Sequence, residues 1–243
     1  FCFVNIKEKY MRYNELTFQG RNAVLEAFRS GKTIDKLFIL DGCQDGPIKS
    51  IVREAKKTDA IINYVDKERL DRLAGTGHHQ GVVAIGAAYE YAEVEDILAA
   101  AKEKGEDPFI FILDEIEDPH NLGAIIRTAN LAGAHGVIIP KRRAVGLTAT
   151  VAKTSAGAIN YTPVAKVTNI SQTIEELKKQ GLWFVCADMG GETMYNLNLK
   201  GPIGLVIGNE GNGVSRLVKD KCDFIASIPM KGCLLYTSPS PRD

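Results

Sequence analysis

The sequence predicts a two-domain α/β protein, and three observations lead to that class. Short apolar runs alternate with amphipathic stretches over residues 14–87, the pattern of an α/β unit. Phe109-Ile110-Phe111-Ile112-Leu113 is continuously apolar, as a strand buried on both faces must be. Between them, Tyr89 to Asp107 is acidic and Ala-rich, and Gly105-Glu106-Asp107-Pro108 breaks the chain, which places a linker over 89–107.

In the first part, Val24, Leu25 and Phe28 have helical spacing, so a helix is expected over 14–30, stopped by Gly31. Leu37–Leu40 reads as a short strand closed by Asp41-Gly42. Ile48, Ile51, Val52 and Ala55 fit one face of a second helix. Ile61–Val65 reads as a strand, 66–73 as a short charged helix and Gly81–Ala87 as a third strand. Val94–Lys104 predicts the linker helix.

The second part is more regular. After Phe109–Leu113 come a helix, a strand at Gly136–Ile139, a helix near 147–155, a strand near 162–166 and a helix at 170–180. Leu182–Ala187 and Ile203–Ile207 complete a parallel, helix-covered sheet. Ligands gather at the carboxyl ends of such strands, so the loops after Leu113, Ala187 and Ile207 are the ones to search.

Composition sets bounds on function. The chain has 243 residues, 45% apolar and 25% charged, values of a globular protein and not of a disordered or fibrous chain. Thirty basic residues balance thirty acidic ones, which excludes a globally basic nucleic-acid coat but not a local basic patch. No apolar run reaches the roughly 20 residues that cross a bilayer. Cys2, Cys43, Cys186, Cys222 and Cys233 form no CxxC pair, so reduced thiols in a cytoplasmic protein are expected rather than a disulfide scaffold or a zinc ribbon. His78, His79, His120 and His135 form no HExxH frame, and His78-His79 beside Gly81 reads as a polar turn. No metal is expected.

The ends read as foreign. Phe1–Tyr10 precedes the first methionine, Met11, which is the expected native start, and has no signal-peptide pattern. Cys233–Asp243 alternates Ser and Pro and can continue neither a helix nor a central strand. It reads either as a natural disordered tail or as a non-native continuation.

Four segments carry the chemistry. Asp114–Arg127 follows the first buried strand; Asn121 is placed as the N-cap of the next helix, and Leu122, Ile125, Ile126 and Ala129 face its core. Arg127 lies off that stripe, and Gly123, one turn before it, leaves room for something to approach the guanidinium. A capped helix with a surface arginine explains the same residues without a ligand. Ile207-Gly208-Asn209-Glu210-Gly211-Asn212-Gly213 is glycine-rich in a GxxGxG spacing, neither a dinucleotide fingerprint nor a Walker A loop. It is either a ligand loop or a tight turn. Ala187-Asp188-Met189-Gly190 and Ile228-Pro229-Met230 end apolar segments, and either can line a pocket or simply close a strand.

Together these pieces resemble the SpoU/TrmH family of RNA ribose 2′-O-methyltransferases. The resemblance rests on Asn121-x-Gly123-x-x-x-Arg127, on Ile207–Gly211 and on Ile228-Pro229-Met230, and covers residues 12–232. Gly20–Val24 and His78–Val82 resemble the opening and closing segments of the family's L30e-like domain, and the closest subgroup is the bacterial 23S rRNA guanosine-2′-O-methyltransferases.

The resemblance implies an L30e-like RNA substrate-binding domain over 12–88, a linker over 89–107 and a SPOUT trefoil-knot catalytic domain over 108–232, with 233–243 as a non-native tail. It implies S-adenosylmethionine as methyl donor, held by Ala187, Asp188, Met189, Gly190, Gly208, Asn209, Gly211, Ile228, Pro229 and Met230. Arg127, Asn121 and Glu210 match the family's catalytic positions. It implies a homodimer with the site completed across the interface.

Arginine stays protonated, so an electrostatic role on an RNA phosphate is favoured for Arg127 over a role as base. Lys141-Arg142-Arg143 is the densest basic run; it is either a solvated face or a phosphate contact, with Lys153 adding charge. One departure stands out: the family's third motif continues into Ser-Leu-Asn and a final helix, which are absent after Gly232. This chain is therefore expected to be impaired and its knot incomplete. The alternatives are a tRNA ribose methyltransferase, which shares the motifs, and a non-catalytic RNA-binding module built on the first half. A hydrolase lacks any GxSxG, P-loop or Ser-His-Asp order.

Overall fold

The computed structural model describes residues 16–58, 60–75 and 78–229. The proposed start at Met11, Met230 and the 233–243 tail lie outside the described residues.

The first part contains β1 (Leu16–Gln19), α1 (Arg21–Arg29), β2 (Ile34–Leu40), α2 (Gly46–Lys57), β3 (Ile61–Val65), α3 (Lys67–Ala74) and β4 (Val82–Gly86). They form one sheet in the order β1-β4-β2-β3, with only β2 and β3 parallel. Strand alternation sends side chains to two faces. Leu37, Ile39, Val82 and Ala84 join Val24, Phe28, Ile48 and Ile51 of α1 and α2 in one core. Phe38 and Val83 point the other way and pack with Leu70 and Ala74 of α3.

The helix expected over 14–30 is corrected here. Leu16–Gln19 is a strand, paired antiparallel with β4 from Leu16–Gly86 to Gln19–Val83. Gly20, at φ 86°, turns the chain through the left-handed region, so the helix starts only at Arg21.

The second part contains α4 (Val94–Lys104), β5 (Phe109–Leu113), α5 (Pro119–Leu131), β6 (Gly136–Pro140), α6 (Ala149–Thr154), β7 (Val164–Val167), α7 (Ile170–Lys179), β8 (Trp183–Thr193), β9 (Ile203–Ile207), α8 (Arg216–Lys219) and β10 (Phe224–Ser227). Its six strands are all parallel, in the order β10-β8-β9-β5-β6-β7. Ile110, Ile112, Ile138, Phe184 and Val206 of the sheet bury against Ile97 of α4 and Ile170, Ile174 and Leu177 of α7. No helix of the described residues is long and apolar enough to cross a membrane.

By compactness the chain divides into two units. One holds residues 16–92 with 117–128 and 144–161; the other holds 93–116, 129–143 and 162–229. Most of α5 and all of α6 thus belong with the first sheet, while the parallel sheet and α4 form the second unit.

Buried histidines serve this fold. His79 Nδ1 lies 3.0 Å from the Gly81 amide, which can only donate. The ring therefore carries its proton on Nε2 and donates to Asp71 Oδ1 at 2.9 Å. His135 repeats the device, accepting from the Phe109 amide at 3.0 Å and donating to Glu106 at 3.1 Å.

Candidate active site

Four neighbouring parallel strands, β10, β8, β9 and β5, end at one edge of the second sheet. Parallel strands put all their carboxyl ends on one side, so the loops at 187–190, 208–211 and 228–229 share that edge with Asp114–Ile116. The order of strands also reverses there, since β5 leads outward to β6 and β7 while β9 returns on its other flank.

The β8 loop is an outward bulge. Ile225 pairs with Cys186, but the next residue, Ala226, pairs with Glu192. Residues 187–191 are thus excluded from the ladder, and β8 resumes to Thr193, well past the strand end expected at Ala187. Asp188 Oδ2 accepts from Lys219 Nζ at 2.6 Å, and Oδ1 accepts from the Gly190 amide at 3.3 Å. The lysine's hydrogen bond holds the Asp188 carboxyl below its usual range and raises Lys219 in return. Ser227 Oγ donates to the Gly191 carbonyl at 3.0 Å. Met189 is left 61% exposed, and Ile228 at the end of β10 is 65% exposed.

The β9 loop is closed on itself. Asn209 and Gly213 exchange backbone hydrogen bonds, 3.1 and 2.8 Å. Asn209 Oδ1 accepts from the Gly211 amide at 2.7 Å, and its Nδ2 donates to the Glu115 carbonyl at 3.1 Å. A Cβ on Gly208 would overlap the Gly213 carbonyl, so that glycine makes room for its own loop. Buried Asp114 adds a second tie: its amide donates to Ile207 O and its carboxylate accepts from Ser215 N, both at 2.8 Å. Glu210 projects from this loop, exposed.

Glu115 and Arg143 both have left-handed backbones, φ 59° and 56°, a strain non-glycine residues bear only where surroundings enforce it. Their side chains pair, Arg143 Nη1 to Glu115 Oε1 at 2.9 Å. Arg142 beside them is exposed, and Lys141 is half-buried with its amide on the Val167 carbonyl.

Asn121 and Arg127 sit on α5 within the first unit. Two expectations about that helix are corrected. Asn121 is not its N-cap: the helix begins at Pro119, and Asp118 Oδ1 accepts from the His120 amide at 2.9 Å. Proline suits a first helical position because its missing N–H would be unpaired there anyway. Nor does Gly123 leave open space. A Cβ there would stand 2.8 Å from Thr154 Cβ and 2.9 Å from the Ser155 amide. The glycine lets α6 press against α5, and Arg127 itself is exposed.

The edge thus gathers Ala187, Asp188, Met189, Gly190, Gly208, Asn209, Glu210, Gly211, Ile228 and Pro229 in one unit. Asp114, Glu115, Ser215 and Lys219 also hold it, and the sequence reading singled out none of them. Asp114 had one usable signal, a carboxylate directly after a buried strand. Lys219 had none, because its partner is 31 residues away.

The fold defines a two-module α/β protein, with this edge of the parallel sheet as its candidate ligand site. Residues 108–235 match the SpoU rRNA methylase family, and residues 19–92 match the RNA 2′-O ribose methyltransferase substrate-binding family. YacO of Bacillus subtilis, assigned to the TrmH family of tRNA/rRNA methyltransferases, is 52% identical over 88% of this chain and 86% of its own length. A Staphylococcus haemolyticus protein assigned to the same family is 48% identical over 90% and 88%. The crystal structure of the SpoU methyltransferase AviRb from Streptomyces viridochromogenes shares the fold at 22% identity, with a TM-score of 0.54 over 96% of this chain and 86% of that one. An AdoMet-bound rRNA methyltransferase from Sinorhizobium meliloti does so at 23% and 0.52, over 89% and 78%. The chain belongs to the SpoU/TrmH family of RNA methyltransferases.

Proposed function

We propose that the chain transfers the methyl group of S-adenosylmethionine to a ribose 2′-hydroxyl of RNA, with a guanosine of 23S rRNA as target. The observation that carries this reading is the shared edge, where the bulge within β8 and the loops after β9 and β10 lie on neighbouring strands. They offer main-chain groups and two exposed apolar side chains in Met189 and Ile228. That set suits a nucleoside, with an apolar ring face to cover and polar edges for main-chain hydrogen bonds. S-adenosylmethionine supplies an electrophilic methyl carbon there.

The chain's own residues have the remaining work. The 2′-hydroxyl is a poor nucleophile and loses its proton as the new carbon–oxygen bond forms. Arg127, exposed and permanently charged, binds the adjacent phosphate and stabilises negative charge developing on the 2′-oxygen. Asn121 and Glu210 orient the reacting groups. Lys141 and Arg142 meet RNA phosphates, and Arg143, held by Glu115, frames them. Residues 12–88 serve as the substrate-binding module and 108–232 as the catalytic one.

The working form in this reading is a cytoplasmic homodimer. Incubation with S-adenosylmethionine and either 23S rRNA or tRNA tests the target. Methyl incorporation into 23S rRNA is expected, and incorporation into tRNA alone would transfer the assignment to tRNA.

A further inference from the structure

We propose that the exposed face of α2 is a second RNA-contact surface, which grips the phosphodiester backbone of a structured RNA away from the reacting ribose. The proposal rests on the RNA-methyltransferase reading above and adds to it a contact by which the small unit would hold its substrate.

Helix α2 buries Ile48, Ile51 and Ala55 and turns Lys49, Arg53, Lys56 and Lys57 outward. Lys49, Arg53 and Lys56 stand at i, i+4 and i+7, one stripe about 10 Å long. Glu54 is the helix's one carboxylate, and it is engaged by Lys57 at 3.0 Å with Arg53 Nε at 3.9 Å. Among the described residues, neither Lys49 nor Lys56 has an ion-pair partner.

Among the described helices α2 has the largest excess of cations over carboxylates, ahead of α8 with two cations and no carboxylate. Cations and carboxylates are nearly balanced along α3, α4 and α7, as on an ordinary solvated face. In a chain of zero net charge, four cations against one carboxylate on a single helix is a concentrated positive field.

Helix stability accounts for only part of it. Lys56 and Lys57 lie in the last turn, where cations complement the helix dipole. Lys49, near the first turn, faces the positive end and is disfavoured by the same effect. The face also carries no aromatic side chain, which excludes base stacking and leaves phosphate contact as the matching chemistry. Such contacts position an RNA without reading its sequence.

The test is the salt dependence of RNA binding by the full chain, using an in-vitro-transcribed RNA hairpin. For the Lys49→Gln/Arg53→Gln/Lys56→Gln variant, the slope of log affinity against log salt should fall by about 2–3, at roughly 0.7–0.9 per lost phosphate contact. The control Lys102→Gln/Lys104→Gln/Lys179→Gln removes the same charge from balanced helices and should leave the slope unchanged. Equal slopes in the α2 variant and the parent, or equal losses in variant and control, would overturn the proposal. So would an unchanged hairpin slope with lost binding to intact ribosomal subunits, which would give the face to a protein partner. Methyl transfer to total RNA, measured on the same preparations, separates this failure from failure of the enzymatic reading. An active parent beside an unchanged α2 variant sinks only the surface; a parent that neither binds nor methylates RNA sinks both.

Discussion

Gly123 and Thr154 are in backbone-to-side-chain contact across α5 and α6: a Cβ on the glycine would stand 2.8 Å from Thr154 Cβ and would overlap its Oγ1. Thr154 Oγ1, which donates to the Thr150 carbonyl at 2.9 Å, also lies 3.3 Å from the Pro119 carbonyl, so α6 is seated on the first turns of the helix that carries Arg127. A family-motif glycine therefore has a packing reason to be glycine. Gly123→Ala should cost about 3 kcal/mol of stability, the upper part of the overpacking range, because one of its neighbours is the rigid Ser155 amide. Urea denaturation checks this. Thr154→Ala in the same background should recover only part of the loss, since the clash with the Ser155 amide remains.

Asn209 ties the β9 loop to the loop after β5. Asn209→Ala removes two side-chain hydrogen bonds, to Gly211 N and to Glu115 O, worth about 2 kcal/mol together. Its backbone bridge to Gly213 stays. Titration calorimetry should show S-adenosylmethionine binding weakened about tenfold or more, on the same scale as the lost bonds. Unchanged affinity would remove this loop from the donor site.

The Asp188–Lys219 pair gives a pH signature. The folded carboxyl is held below its unfolded range, so its stabilisation is present above about pH 4 and is lost as pH falls through the folded value. Lys219 is raised when folded, so its contribution is present below about pH 10 and is lost as pH rises past the folded value. Lys219→Met should therefore be less stable than the parent between those limits. The two stability curves should converge toward the acid and alkaline ends, as denaturant titrations across pH would record.

Arg127 is exposed and supports no core contact, so Arg127→Ala should change stability by less than about 0.5 kcal/mol. Loss of an electrostatic stabiliser should lower the methyl-transfer rate about 100-fold or more, with donor affinity unchanged. A rate near that of the parent would remove Arg127 from the reaction.

Much of the fold is legible in the sequence because it is locally encoded. Val94–Lys104, Phe109–Leu113 and Ile203–Ile207 follow from helical spacing, an unbroken apolar run and flanking breakers, and the structure has the same bounds. β1 is not legible, because four residues gain strand character only by pairing with β4, far along the chain. The start of α5 was legible in Asp118-Pro119, a capping carboxylate before a first-turn proline, but Asn121 drew the reading three residues inward. In the site, the glycines and Asn209 announce a turn from sequence alone. The pairings that hold it, Asp188 with Lys219, Asp114 with Ser215 and Glu115 with Arg143, join residues distant in the chain and have no local signal.

The most direct test of the central reading is the chemical position of the transferred methyl group. 23S rRNA incubated with the protein and deuterium-methyl S-adenosylmethionine would be digested to nucleosides and analysed by mass spectrometry. The account predicts label in 2′-O-methylguanosine, lost with Arg127→Ala. Label on a base, or label that survives Arg127→Ala undiminished, would contradict it.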